Sequence, residues 1–384
     1  MTKRPTLRVL GRSEILLEPI RRRVAEDLDI DVVFQLSDTI DGLRQAVTRP
    51  DSFDIYHQWH TIDLVWTARA VQAIDLRRLL GGGDVRAMAA SGRGQEIPTL
   101  RRSLFIQPNG GLGPDASDHV SMLPSIHGVD AFGYLGKLRA DLRTGEDDSW
   151  GWLLDSRWHG RVAMMRDPVL GMIEAALATE AVEGIAFADV GNLSIEDIDR
   201  IGDLLLRKKK MGHFKGTWSN YEEAARLMEK GGVVLQSIFS PALTRLRRAA
   251  VPVVGAVPAE GYRGWHADLC ISAQASGAVL EAAYRYLNWW MAGWPGAVLS
   301  RQGYYATLPE RARSHLSEAE WDYWYGGRAA TAPLADPFGA VCVHPGEVRE
   351  GGSHRQRMAR VRVWNSFMDE HTYLVRRWNE FLEG

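Results

Sequence analysis

Cysteine is nearly absent: Cys270 and Cys342 are the only two in 384 residues. That scarcity rules out a disulfide framework and a four-thiolate metal site. A single bridge between the two stays open. The other reading is a pair of unpaired thiols, which the apolar run Leu269-Cys270-Ile271 favours by marking Cys270 as buried. An excess of either charge is missing too. Lys and Arg number 46 against 48 Asp and Glu, a formal net charge of −2, so no whole-chain field draws the molecule to nucleic acid or to an anionic membrane. No window is long and apolar enough to cross a bilayer, and any tie to a membrane must run through a partner. The first ten residues include Lys3, Arg4 and Arg8 but pass straight into a strand-like segment, with no apolar stretch of signal-peptide length.

The usual signatures of chemistry are lacking as well. There is no Gly-x-Ser-x-Gly elbow. Gly110-Gly111-Leu112-Gly113-Pro114 follows no clear strand and has no Gly-Lys-Ser/Thr, so it reads as a loop and not as a phosphate cradle. His57-Gln58-Trp59-His60 places two histidines three apart, without the glutamate and the i,i+4 spacing of a zinc-protease helix and without a third ligand to name. No catalytic residue, metal or cofactor is expected. Solenoid-period repeats and low-complexity tracts are also missing.

Core-building material is abundant, with 45% hydrophobic and 9% aromatic residues, enough for two or three units of ordinary domain size. The chain alternates the two periods of an α/β sheet. Leu7, Val9 and Leu10 read as strand, and Ile20, Val24 and Leu28 line one helix face after Pro19. Asp31–Leu36 is strand, Asp38 caps a helix through about Val47, and Phe53–Tyr56 is strand again. Strand, helix, strand, helix, strand implies parallel pairing with crossovers.

A second unit repeats this grammar. Arg161–Met165 is strand, and Asp167-Pro168 is an N-cap with a first-turn proline. Ser194 and Asp197 form a capping box, with Lys208, Lys209 and Lys210 at the far end of that helix. Asn220 opens a helix that stops at Gly231-Gly232, and Val233–Phe239 is a buried strand. Trp265–Ile271 returns as strand, Ser276 caps a long helix through about Met291, and the last part of the chain reads as helical with an interruption between Ala332 and Gly352.

Several segments fall in a telling order. Leu7–Leu10 leads into Gly11-Arg12-Ser13-Glu14, and Phe53-Asp54-Ile55 into Gln58-Trp59-His60. Leu123-Pro124-Ser125-Ile126-His127-Gly128 is followed by Phe132-Gly133-Tyr134. Ser149-Trp150-Gly151-Trp152-Leu153-Leu154-Asp155, His159-Gly160-Arg161-Val162 and Asp167 come next, then Gly231–Ser240, Gly264-Trp265 and Gly303-Tyr304. Over roughly residues 6–310 the chain thus resembles the spermidine/putrescine-type solute-binding proteins of ABC importers, the Ser149–Asp167 stretch being the most specific match.

The resemblance implies an α/β fold of the periplasmic-binding-protein type (type II). Two α/β lobes would be joined by crossing strands, with the ligand cleft between them. The expected lobe 1 is residues 1–125 plus 262–302; lobe 2 is 126–261 plus 303–384, ending in a C-terminal helical tail. It further implies a monomeric, periplasmic, non-enzymatic partner of a membrane permease that captures a small polar organic solute, amine- or carboxylate-containing, by interlobe closure. An enzyme or a cytoplasmic ligand sensor on the same fold is the alternative.

In that family aromatic walls and carboxylates hold the amine. The positions carried over are Trp265, Tyr304, Phe239, where a tryptophan is usual, and Asp167; Arg12, Ser13, Glu14, Trp59, His60 and His127 fall in or beside the ligand loops. Arg12 replaces a tryptophan, Ile15 a tyrosine, Leu170 a glutamate, and Ala267 an aspartate, with Asp268 adjacent. Anionic contacts are lost and a cation is gained, so the expected ligand carries an anionic group and is not a linear polyamine. Asp167 is also fully explained as a helix cap.

Overall fold

The computed structural model describes residues 4–59, 61–90, 97–143 and 145–384, and the chain divides into two compact units. Unit 1 comprises Met1–Gly128 and Trp265–Trp321; unit 2 comprises Val129–Gly264 and Asp322–Gly384.

Unit 1 is built on three parallel strands. Thr6–Gly11 lies between Asp31–Leu36 and Ile55–Trp59, with Val9 opposite both Phe34 and Ile55. Helices Glu18–Leu28 and Thr39–Thr48 are the crossovers that parallel pairing requires. Ile20 and Val24 bury the inner face of the first, and Asp38 caps the second by accepting from Asp41 N–H at 2.8 Å. Ala267–Ile271 then pairs antiparallel with Ile55–Trp59. Helix Gly277–Met291 starts after Ser276 as expected, but the Ser276 side chain makes no capping hydrogen bond.

Unit 2 repeats the plan. Val162–Met165 runs parallel to both Phe214–Trp218 and Leu235–Ile238, and Ala131–Tyr134 pairs antiparallel with the last of these. Helix Pro168–Glu183 is buried from Pro168 through Glu180, consistent with its being apolar on every side. It packs against the turn Trp150–Leu154 and the helices Ile195–Lys210 and His371–Glu383. Gly171 makes the last contact possible, because the ring of Trp378 occupies the place of a Cβ. The Ser194–Asp197 capping box is formed.

Two features differ from the sequence reading. Residues 303–321 cluster with unit 1, because Tyr305 and Ala306 pair with His127 and Ile126. The end of the chain is not simply helical either. Val361–Trp364 runs parallel to Tyr262–Gly264, the alternation in Val361-Arg362-Val363 being a strand signal inside a mostly helical stretch, while Leu334–Ala335 pairs with Val341–Val343 inside the interruption expected between Ala332 and Gly352.

Strands Leu123–Leu135 and Tyr262–Ser272 carry the chain through the unit boundaries at 128/129 and 264/265. Cys270 and Cys342 are both buried and free. Among the described residues no helix is long and apolar enough to cross a membrane.

Candidate ligand-binding site

In unit 1 the loop after the first parallel strand turns tightly, with Ile15 and Leu16 N–H both donating to the Arg12 carbonyl at 3.1 and 2.9 Å. Arg12 therefore leaves the carboxyl edge of the sheet, where open α/β sheets bind ligands. Its guanidinium donates twice to Glu14, Nε to Oε2 at 3.2 Å and Nη2 to Oε1 at 3.1 Å, and Nη1 donates to Thr39 Oγ1 at 2.9 Å. Ser13 Oγ donates to the same Glu14 carboxylate at 3.4 Å, and the Gln302 amide donates to the Glu14 carbonyl at 2.5 Å. Arg12 is only 4% exposed and Glu14 1%.

The guanidinium lies over the indole of Trp59, 4.0 Å from the ring centroid. Trp59 continues into Trp265 at 5.3 Å, and Trp265 meets Tyr304 edge-on at 4.6 Å. Six of the predicted residues, Arg12, Ser13, Glu14, Trp59, Trp265 and Tyr304, thus form one connected cluster, in which a buried ion pair lies against aromatic rings. The added cation does not stand alone as a bare anion anchor, since Glu14 neutralises it. Thr39 and Gln302, which help to hold this pair, were not legible as site residues.

The remaining predicted residues fall elsewhere. His127, 6% exposed, packs against Tyr305 with the rings tilted and their centroids 5.6 Å apart, also in unit 1. His60 lies outside the described residues. Neighbouring His57 is enclosed, with Nε2 2.7 Å from Ser125 Oγ, and burial pushes its pKa down to about 3. No group of three or more His, Cys, Asp or Glu is arranged to hold a metal among the described residues. In unit 2, Asp167 Oδ1 accepts from Val169 and Leu170 N–H, both at 3.1 Å, which is the cap role. Phe239 packs edge-on against Trp218 at 5.0 Å.

Phe239 also faces a polar group that sequence reasoning missed. Arg263 lies 5.9 Å from the Phe239 ring centroid and has no surface exposure. Its Nε donates to Glu174 Oε1 at 3.1 Å and its Nη1 to Asn365 Oδ1 at 3.1 Å, while Nη2 stands 3.7 Å from Asp130 Oδ2. Burial pushes the Glu174 carboxyl up to about 7, and Asp130 adds to the shift; Arg263 and the Ser237 hydroxyl oppose it. A signal for Glu174 existed: it is the only charged residue between Pro168 and Ala178, in an otherwise apolar helix.

No protein-family model matches the sequence, and no curated protein matches it in sequence. Solved structures do match in fold. A spermidine/putrescine ABC transporter protein from Listeria monocytogenes superposes with a TM-score of 0.68 at 12% identity, covering 98% of this chain and 99% of that one. The TpPotD lipoprotein of Treponema pallidum gives 0.65 at 12% identity, with 98% and 99% covered. The binding protein AgtB of A. tumefaciens R10, in complex with agropinic acid, gives 0.61 at 11% identity over 100% of both chains. The resemblance drawn from the sequence therefore holds for the fold: this chain is folded as the substrate-binding proteins of ABC transporters are, including the spermidine/putrescine type.

Proposed function

We propose that the chain is the substrate-binding component of an ABC-type importer, capturing a small polar organic solute by closure of its two units and delivering it to a membrane permease. It would work as a periplasmic monomer, without a cofactor and without catalysis. Arg12, Ser13, Glu14, Trp59, Trp265 and Tyr304 would serve unit 1, with Phe239, Asp167, His127 and His60 as further candidates. The observation that carries the reading of specificity is Arg12 over Trp59. An aromatic face that could accept a ligand ammonium is covered by the chain's own guanidinium. A linear polyamine is thereby disfavoured, and a solute whose carboxylate competes with Glu14 for Arg12 is favoured. Titration calorimetry with spermidine, putrescine and a panel of amino and organic acids tests this. Micromolar binding of either polyamine, about −8 kcal/mol, would contradict it.

A second reading, an enzyme or cytoplasmic sensor on the same fold, has one specific observation in its favour. His266 Nε2 is 3.1 Å from Thr99 Oγ1 and its Nδ1 is 2.9 Å from Asp268 Oδ1, all in unit 1. Hydroxyl, imidazole and carboxylate follow one another as in acyl-transfer sites. Alternation along the strand puts His266 on the face opposite Trp265, away from the cluster described above. Labelling of Thr99 by a fluorophosphonate, abolished in His266→Ala, would support an enzyme; an unlabelled Thr99 would remove this argument for one.

A further inference from the structure

The buried group around Arg263 has open hydrogen-bonding capacity of a particular kind. Arg263 Nη2 and Asn365 Nδ2 are enclosed and make no hydrogen bond, and Glu174 Oε2 and Ser237 Oγ are enclosed with no closer partner than the weak interaction of the Ser237 hydroxyl with the Glu174 carboxyl. Each belongs to Arg263, to a residue bonded to it, or to Ser237, which acts on Glu174. Folded interiors leave few polar groups in this state. The set comprises two nitrogen donors, a hydroxyl that can act as either, and Glu174 Oε2, which accepts when the carboxyl is ionised and donates when it is protonated.

We propose that Arg263, Glu174, Ser237 and Asn365 form a subsite of unit 2 for an uncharged polar part of the solute, a polyol or carboxamide segment, making the ligand a hydroxyl- or amide-bearing acid. This deepens the solute-binding reading and rests on it. Charge balance supports it. Asp130 offsets Arg263, and a Glu174 carboxyl pushed up to about 7 is largely protonated in mildly acidic solution, leaving the group close to neutral. An entering anion would face two carboxyl groups, and an ammonium would face a guanidinium. A hydroxyl or amide accepts from Nη2, Nδ2 or a protonated Glu174 Oε2 and donates to Ser237 Oγ, satisfying the open groups without adding charge. Access follows from position: Asp130 and Arg263 are each the second residue of unit 2 from a boundary, on the strands that carry the chain across it. Movement about those strands is what would admit a solute to a group with no surface exposure. Ordered water would fill the same capacity and is the rival occupant.

The test is calorimetry on the full chain with gluconate, N-acetylglycine, mannitol, acetate and spermidine, using wild type, Ser237→Ala and Asn365→Ala. We expect gluconate or N-acetylglycine to bind about tenfold or more tighter than acetate, and the polyol acid and the amide acid to show which segment is preferred. Both variants, folded by circular dichroism, should lose about fivefold or more of that affinity and none of the affinity for acetate. The proposal is overturned if acetate binds as well as the larger acids, if spermidine binds tightest, or if the variants bind as wild type does, which would make the occupant water. A hit from a wider solute library that bears neither hydroxyl nor amide would overturn this subsite and leave the importer reading standing; a library with no hit at all would count against both.

Discussion

The indole of Trp265 lies against the bare α-carbon of Gly128: a Cβ built there would stand 2.7 Å from ring atom Cζ2 and 2.9 Å from Cε2. The ring is buried between Trp59 and Tyr304 and cannot shift without disturbing both. Gly128→Ala should therefore destabilise unit 1 by about 1–3 kcal/mol, the usual cost of forcing extra volume into a packed interior. It should also move the tryptophan fluorescence of the native state. A variant with wild-type melting temperature and emission would show that Trp265 is loosely held.

Arg12 and Glu14 form a buried pair, and such a pair is more vulnerable to the loss of one partner than of both. Glu14→Ala should cost about 3 kcal/mol, because the guanidinium keeps Thr39 and the Trp59 face but loses its countercharge. The double variant Arg12→Met, Glu14→Leu should be clearly more stable than Glu14→Ala while binding solute no better. Urea denaturation of the three proteins measures this. A double variant that is the least stable of the three would contradict the account.

Where the physics is local, the sequence was readable. Asp38, Asp167 and the Ser194–Asp197 box terminate helices through bonds to residues two or three positions away, and each is formed. The clustering of Arg12 with Trp59 was accessible for a related reason, since parallel pairing of consecutive strands brings their carboxyl ends to one edge. Arg263 was not accessible in this way. Its partners Asp130, Glu174 and Asn365 come from a crossing strand, a helix and the segment after a late strand, 133, 89 and 102 positions away respectively. Only tertiary packing joins them. The strand Val361–Trp364 was hidden similarly, because it gains its place by pairing with a strand about a hundred residues earlier. Ser276 marks the opposite case, a correct helix start whose side chain does no capping.

Asp167 separates two roles by chemistry. Its Oδ1 accepts from two helix N–H groups, so Asp167→Ala should cost about 1 kcal/mol, whereas Asp167→Asn keeps an accepting oxygen and should cost a few tenths. Thermal denaturation reads this difference. If Asp167 also contacts the solute as a charge, Asp167→Asn should weaken binding while leaving stability nearly intact. Equal affinity in Asp167→Asn and wild type would confine the residue to its cap.

Glu174 and His57 should give the stability of this protein opposing responses to pH. The Glu174 carboxyl is held at about 7 in the folded chain, above its ordinary value of 4.5, so the folded state binds more protons than the unfolded one between these values. Stability from this group is full below 4.5 and falls as pH rises through 7, by on the order of 3 kcal/mol in total. His57 is pushed down from 6.5 to about 3, so the unfolded state binds more protons in that interval, and its contribution is lost as pH falls below 6.5. Wild type alone would show only the difference of the two. Glu174→Gln removes the first, and its stability relative to wild type should therefore climb by about 3 kcal/mol between pH 4.5 and 7. Urea titrations across that range check it. A relative stability that is flat with pH would mean that Glu174 is ionised throughout, and that the charge balance assigned to the Arg263 group is wrong.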